Sequence, residues 1–368
     1  MPEYSEDLGS HIFYLYDFVK KAAEQIDILL IIEKCNVREV GGPFKKVYVQ
    51  RFNGILRCFE SFWLLLLARV QGYNNFYIHY SYIGAINASL ISRLSGARTF
   101  YWSCGMMWLF EKPFKLKWNI LKEKLVHEWP LRLILKASNY LVTGNETMKS
   151  EYHKHYGISL RRIKVMPNWI DLDRFDPAKF NKENLKTQYG VPDDKKVVLF
   201  VHHLSERKGA DLIPQIAAGF KDRGDVLFLI CGSGPYESKL KQETKEKGIE
   251  NVVRFEGAVP NKLIPEYFAM ADVFLMPSRE EGFPRVLLES MAMNVPYVAS
   301  DVGGVREMTP RSLEQYFVKI GSTAVKFIDK IKEVLSVDNI DIRLGIENYS
   351  TDSVIRYFIK LFDQYEEK

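Results

Sequence analysis

The chain has 368 residues, enough for two hydrophobic cores of ordinary domain size. Its 51 basic and 46 acidic residues leave a net charge of +5, too modest for a duplex-binding protein, so no nucleic-acid partner is expected. Four scattered cysteines, Cys35, Cys58, Cys104 and Cys231, lack Cys-x-x-Cys spacing and argue against a zinc site or a disulfide framework. No signal peptide is visible at Met1-Pro2-Glu3-Tyr4. The longest aliphatic and aromatic run, residues 62–68, falls short of the roughly 20 residues that cross a bilayer. The expectation is a cytoplasmic protein, with peripheral docking on the cytoplasmic membrane face as an addition.

Residues 11–25 carry apolar side chains at helical spacing (Ile12, Leu15, Tyr16, Val19, Ala23), and residues 26–32 read as a buried strand. Further strands are expected over 46–50, 76–79, 98–103 and 140–143, separated by helical stretches, which is the pattern of a parallel α/β sheet. Ligands of such sheets sit beyond the carboxyl ends of the strands. His79 and the turn Ser103-Cys104-Gly105 fall at two of those ends and are candidate cleft residues, although a histidine satisfied inside the fold accounts equally well for His79. Between 108 and 136, rings such as Phe110, Trp118 and Trp129 interleave with Lys112, Lys115, Lys117 and Arg132. That segment suits an anionic membrane surface, or equally a solvated helix covering the sheet.

A linker over 168–180 leads into a second α/β pattern. Strand 197–201 ends in His202, His203, Ser205 and Lys208, and a helix is expected to start at Gly209. The Lys208 ammonium could then compensate a diphosphate and the charge that grows on it as a glycosidic bond breaks. Strand 226–231 runs into Gly232-Ser233-Gly234-Pro235, whose glycines permit close backbone approach by a nucleotide but also suit a plain turn. A strand over 252–256 and a helix over 262–270 follow.

The most informative stretch is 278–290. Strand 272–276 is broken by Pro277, Gly282 and Pro284, and a helix is expected from near Pro284. The amides of Phe283, Arg285 and Val286 are left without intrahelical partners and attract an anion. Glu281 before the helix and Glu289 inside it flank that site. A nucleotide sugar, with sugar hydroxyls, a diphosphate and ribose hydroxyls in line, matches the arrangement. A strand over 296–300 follows, and Val354, Tyr357, Phe358, Leu361 and Phe362 make a C-terminal amphipathic helix.

The Glu281-x7-Glu289 spacing resembles the signature of retaining glycosyltransferases of the family 4 type (glycosyl transferases group 1). Pro167-Asn168-Trp169-Ile170-Asp171, His203-Leu204-Ser205-Glu206-Arg207-Lys208-Gly209, Gly232-Ser233-Gly234-Pro235 and Ser300-Asp301-Val302-Gly303-Gly304 resemble four more motifs of that family, in the same order. The likeness is strong over roughly 160–310 and weaker over 1–160. It implies an α/β GT-B fold, two Rossmann-like domains facing across a cleft. An acceptor-binding domain would span 1–175, a nucleotide-sugar-binding domain 176–348, and a helix over 349–368 would return to the first domain.

Carried over residue by residue, the resemblance makes Lys208 and Glu281 catalytic. It puts His203, Gly9, Ser10 and the amides of Arg285 and Val286 at the donor phosphate, and Glu281, Gly282, Phe283 and Pro284 at the donor sugar. Gly232, Ser233, Gly234, Pro235, Val259 and Glu289 would hold the nucleotide, and His79 and Cys104 would line the acceptor cleft. The chain departs from the family at His202-His203, where Gly-Arg is usual, at Cys104, where a histidine is usual, and at Gly9-Ser10, where two glycines are usual. The strand that should precede the Gly9-Ser10 loop is missing, so either the protein has one central strand fewer or the sequence lacks its true N-terminus.

The resemblance implies retaining transfer of a hexose from a UDP- or GDP-sugar to a hydroxyl of a sugar or lipid-linked acceptor, in glycolipid, polysaccharide or glycan assembly. No metal or other cofactor is expected; Asp171-Leu172-Asp173 has metal-motif spacing but belongs to the linker. No hydrolase-type carboxylate pair is visible. Rival readings are a nucleotide-sugar epimerase, a sugar-phosphate synthase, and a binding or scaffolding subunit that has lost turnover.

Overall fold

The computed structural model describes residues 1–4, 13–37, 40–104, 128–337 and 340–363. They form two compact units, Met1–Pro167 with Val354–Lys368, and Asn168–Ser353.

The first unit runs α1 (Phe13–Ala22), β1 (Leu29–Ile32), β2 (Lys46–Val49), α2 (Gly54–Val70), β3 (Asn75–His79), α3 (Tyr82–Ser95), β4 (Arg98–Trp102), α4 (Trp129–Ala137), β5 (Tyr140–Thr143), α5 (Glu146–Tyr156) and β6 (Ile163–Val165). Every pairing is parallel, but the strands fall into two sheets, β1-β2 and β3-β4-β5-β6. Helix ends follow local chemistry. The Ser81 hydroxyl accepts from the Gly84 amide at 3.0 Å to open α3, and Gly96 closes it in the left-handed conformation. Asn145 caps α5 in the same way, accepting from Met148 N at 2.7 Å. β1 starts at Leu29 rather than Ile26, because the Ile26 amide is still tied to the Ala22 carbonyl at the end of α1.

The second unit runs α6 (Lys182–Gln188), β7 (Lys196–Val201), α7 (Ile213–Ala218), β8 (Val226–Cys231), α8 (Glu237–Glu246), β9 (Val253–Gly257), α9 (Ile264–Met270), β10 (Val273–Met276), α10 (Arg285–Ala292), β11 (Tyr297–Asp301), α11 (Val305–Met308), β12 (Phe317–Lys319) and α12 (Ala324–Leu335). Its strands form one parallel sheet in the order β12-β11-β10-β7-β8-β9. Val197 to Phe200 and all six residues of β8 are buried, as expected of strands covered on both faces. The three-residue strands β6 and β12 were not foreseen, since runs this short carry no periodic signal. Nor does a helix start at Gly209. Two 3-10 turns, Glu206–Lys208 and Ala210–Leu212, flank it, and the positive φ of 69° at Gly209 does not fit an α-helix.

The last helix, α13 (Thr351–Asp363), belongs from Val354 onward to the first unit. There Phe358 meets the rings of Phe18 and Tyr77 edge-on, at 5.5 and 4.9 Å, and Phe362 meets Phe100 at 5.2 Å. No described helix is long and apolar enough to cross a membrane.

Candidate functional site

In the second unit the strand order reverses between β7 and β10. The carboxyl ends of these two strands at such a reversal are the usual ligand position in an open parallel sheet. The loop after β7 brings His202 and Lys208, and the loop after β10 brings Ser278 and Glu281. They converge on one atom. Glu281 Oε1 accepts from Lys208 Nζ at 2.8 Å and from Ser278 Oγ at 2.7 Å, and lies 3.2 Å from His202 Nε2. Lys208 and Glu281 are 6% and 5% exposed, so this ion pair is not an ordinary surface contact.

The His203 amide donates to His202 Nδ1 at 3.0 Å, which leaves the His202 proton on Nε2, facing Glu281. Burial pushes the His202 pKa below its usual value in spite of Glu281, so the ring is neutral at pH 7. Burial also lowers the pKa of Lys208, with Glu281 opposing. For Glu281, burial alone would raise the pKa, but the hydrogen bond from His202, the charge that ring gains in acid and the Lys208 ammonium hold it at about 2. The site is thus an ionised carboxylate with its Oε1 saturated by three donors.

The sign for stability follows. A glutamate titrating near 4.5 when unfolded and about 2 when folded contributes stability above pH 4.5 and loses it as pH falls toward 2. The loss amounts to about 3 kcal/mol. His202, depressed below 6.5, also favours the folded state less as the pH falls through that value. The melting temperature is expected to fall in two limbs on acidification, and Glu281→Gln to flatten the lower one. A pH-melting series in which that variant keeps the full lower limb would contradict the assignment.

Other expected site residues are placed as follows. His203 is exposed, and it is His202 that reaches the carboxylate. Consecutive residues leaving a strand turn to opposite faces, and the sequence does not say which one faces inward. The side chain of Arg285 turns to the linker, donating to the Trp169 carbonyl at 2.9 Å and lying 4.3 Å above its ring. Val286 follows it in the first turn of α10, Pro284 is the cap, and Asn168 donates to the Phe283 carbonyl at 2.6 Å. The Gly304 amide donates to Gly282 O at 3.0 Å. Glu289 is buried inside α10, at 4% exposure, and Val259 sits half-buried in the loop after β9.

The Gly232-Ser233-Gly234-Pro235 turn follows β8, but its glycines serve the protein's own packing. A Cβ on Gly232 would lie 1.9 Å from the His202 carbonyl oxygen, and one on Gly234 2.4 Å from that of Leu204. Missed from the sequence were His202, Ser278 and the bidentate pair of Arg279 with Asp211, both contacts 2.6 Å, which ties the β10 loop to the β7 loop. Strand-end position was the available signal for His202 and Ser278; Arg279 and Asp211 carried none.

In the first unit, His79 ends β3, 9% exposed, and stacks on Trp102 at 4.0 Å. Cys104 follows β4 and directs its thiol at Met148 Sδ, 3.6 Å away. Gly9, Ser10 and residues 108–127 of the expected membrane segment lie outside the described residues.

Residues 181–350 match the model of the family described as glycosyl transferases group 1. Over 285 residues the chain is 27% identical to a D-inositol 3-phosphate glycosyltransferase of Corynebacterium urealyticum, covering 70% of this chain and 66% of that one. Over 198 residues it is 30% identical to the GDP-mannose-dependent alpha-(1-6)-phosphatidylinositol monomannoside mannosyltransferase of Mycolicibacterium smegmatis, covering 52% and 50%. Matches to these and other curated relatives span between 34% and 66% of the relatives' own lengths. The chain is also similar to the solved structure of Anabaena HepE in complex with UDP and glucose, with a TM-score of 0.72 over 98% of each chain. At 17% identity that likeness concerns the fold alone.

Proposed function

We propose that the chain transfers a hexose from a nucleotide-diphosphate sugar to a hydroxyl acceptor, with retention at the anomeric carbon, a reading supported by the match of residues 181–350 to the glycosyl transferases group 1 and by the GT-B fold. The observation that carries this reading is the buried Lys208–Glu281 pair at the reversal point of the second sheet, beside the first turn of α10. In this reading the diphosphate sits against the amides at the start of α10, and Lys208 compensates the negative charge that develops on the leaving group. Glu281 orients Lys208 and accepts from the sugar hydroxyls through its second oxygen, while Glu289 takes the ribose. A fixed ammonium does the work of a cation here, so the reaction runs without metal.

The donor is a UDP- or GDP-sugar. One relative is named for GDP-mannose and one structural neighbour contains UDP and glucose, which supports that pair of bases and chooses neither. A thermal-shift screen of UDP, GDP, ADP and their sugars is the direct test, with a selective rise of several degrees expected for one base. Transfer by the same protein should survive EDTA. Absence of any shift would sink the reading, a metal requirement would remove the metal-free part, and tight donor binding without turnover would make the chain a binding module.

A lipid-linked acceptor fits the first unit best. Along α2, Ile55, Leu56, Phe59, Trp63, Leu67 and Val70 are exposed in one stripe, with Arg51 before it and Arg93 exposed on the neighbouring α3. On α4, Trp129 and Leu133 are exposed as well. Apolar and aromatic side chains rimmed by arginine suit a peripheral position on an anionic bilayer. Co-sedimentation with phosphatidylglycerol vesicles is expected, and a Phe59→Ser, Trp63→Ser variant should lose most of it; binding unchanged in that variant would rule out α2 as the contact.

A further inference from the structure

The three donors on Glu281 hold it unequally. Ser278, Lys208 and His202 all meet Oε1, at 2.7, 2.8 and 3.2 Å, but they differ in how firmly each can aim the carboxylate. A serine hydroxyl rotates about its own bond, and an ammonium on a four-carbon stem turns with it, so neither fixes a direction. An imidazole N–H lies in the plane of its ring. The His202 ring is itself held, because Nδ1 accepts from the His203 amide at 3.0 Å. Its backbone is held too, the His202 amide donating to the Cys231 carbonyl at the end of β8 at 3.1 Å.

The two loops that carry these residues are locked against each other. The Arg279 amide donates to the Arg207 carbonyl at 2.9 Å, and a Cβ on Gly209 would collide with the Pro277 carbonyl. Even on a fixed backbone, a glutamate keeps three side-chain torsions to settle. Lys208 and Ser278 already supply the opposite charge and the hydrogen bond that a buried carboxylate requires. What the ring adds is direction. Because it is neutral at pH 7, it adds that direction without placing a second cation beside Lys208.

We propose that His202 is a positioning residue for donor recognition: it locks the Glu281 side chain through Oε1 so that Oε2 meets the hydroxyls of the donor's sugar. This rests on the donor site proposed above and assigns one half of the donor to one side chain. A preoriented acceptor atom favours only the part of the ligand that it touches. His202 therefore governs affinity for the sugar and leaves affinity for the nucleoside diphosphate as it is. The ring itself touches no part of the donor, and its whole effect passes through Glu281.

The test measures dissociation constants of UDP, UDP-glucose, GDP and GDP-mannose by calorimetry on the 368-residue chain and its variants. In His202→Leu, the nucleotide sugar that the unaltered chain prefers should bind about tenfold more weakly, the scale of one hydrogen bond to a charged group, while its parent diphosphate stays within about twofold. The diphosphate affinity also reports that the variant is folded. His202→Gln, which offers an amide N–H in the place of Nε2, should recover most of the loss. In a Glu281→Gln background, His202→Leu should add nothing. Equal weakening of the nucleotide sugar and its diphosphate would make the ring a support of the β7 loop and overturn the proposal. So would an unchanged nucleotide-sugar affinity in His202→Leu, no rescue by glutamine, or the full loss in the Glu281→Gln background, which would put the ring on the donor itself. If the unaltered chain binds none of the four compounds, the donor reading fails before any substitution is made, and this proposal falls with it.

Discussion

Lys208→Met is expected to lower the rate of glycosyl transfer by about 10^2–10^3-fold, the usual effect of removing one fixed charge from a developing anion. It should also cost on the order of 3–5 kcal/mol of stability, because Glu281 would remain buried at 5% exposure without its cation. The two effects are separable. Adding Glu281→Gln to Lys208→Met removes the stranded carboxylate, and urea unfolding should recover a good part of the loss. Activity should not return with it, since the cation is still absent. Transfer within about threefold of the original by a folded Lys208→Met protein, below the scale of such an effect, would remove Lys208 from the mechanism.

Gly303→Ala is expected to be the most damaging single methyl group in the second unit. Gly303 has φ +59°, and a Cβ there would lie 1.8 Å from the Glu281 carbonyl oxygen and 2.8 Å from its carbonyl carbon. Neither is the flexible end of a side chain, so the β10 loop must move or the protein must unfold. Gly96→Ala is the matched control, with φ +73° and nothing within 4 Å of the new atom. It should cost only the roughly 1–2 kcal/mol of a left-handed non-glycine residue. A Gly303→Ala loss no larger than that of Gly96→Ala, measured by urea unfolding, would show that the β10 and β11 loops are looser than their contact implies.

Much of the second unit was legible along the chain. β7, β8, β10 and β11 are continuous apolar runs bounded by glycine, proline or polar residues, and a strand buried on both faces has to be written that way. Lys208 and Glu281, 73 residues apart, were each picked out by their place after a strand, and the sheet brings them to 2.8 Å. What the sequence did not carry was direction. That His202 turns to Glu281 is set by a one-residue step at a strand end, and nothing local encodes which face is inward. The Arg285 guanidinium is engaged by Trp169, 116 residues away, a partner visible only after folding.

The sequence by itself determined the parallel α/β character of both units, the order of their strands along the chain, and the residue types gathered at the strand ends, because hydrophobic period, glycine and proline act over a few residues at a time. The tertiary structure alone decided which histidine meets Glu281, that Gly232 and Gly303 make room for neighbouring loops, and that β1 and β3 line one cavity. Those outcomes depend on contacts between segments tens to hundreds of residues apart, whose geometry exists only once the sheets have formed.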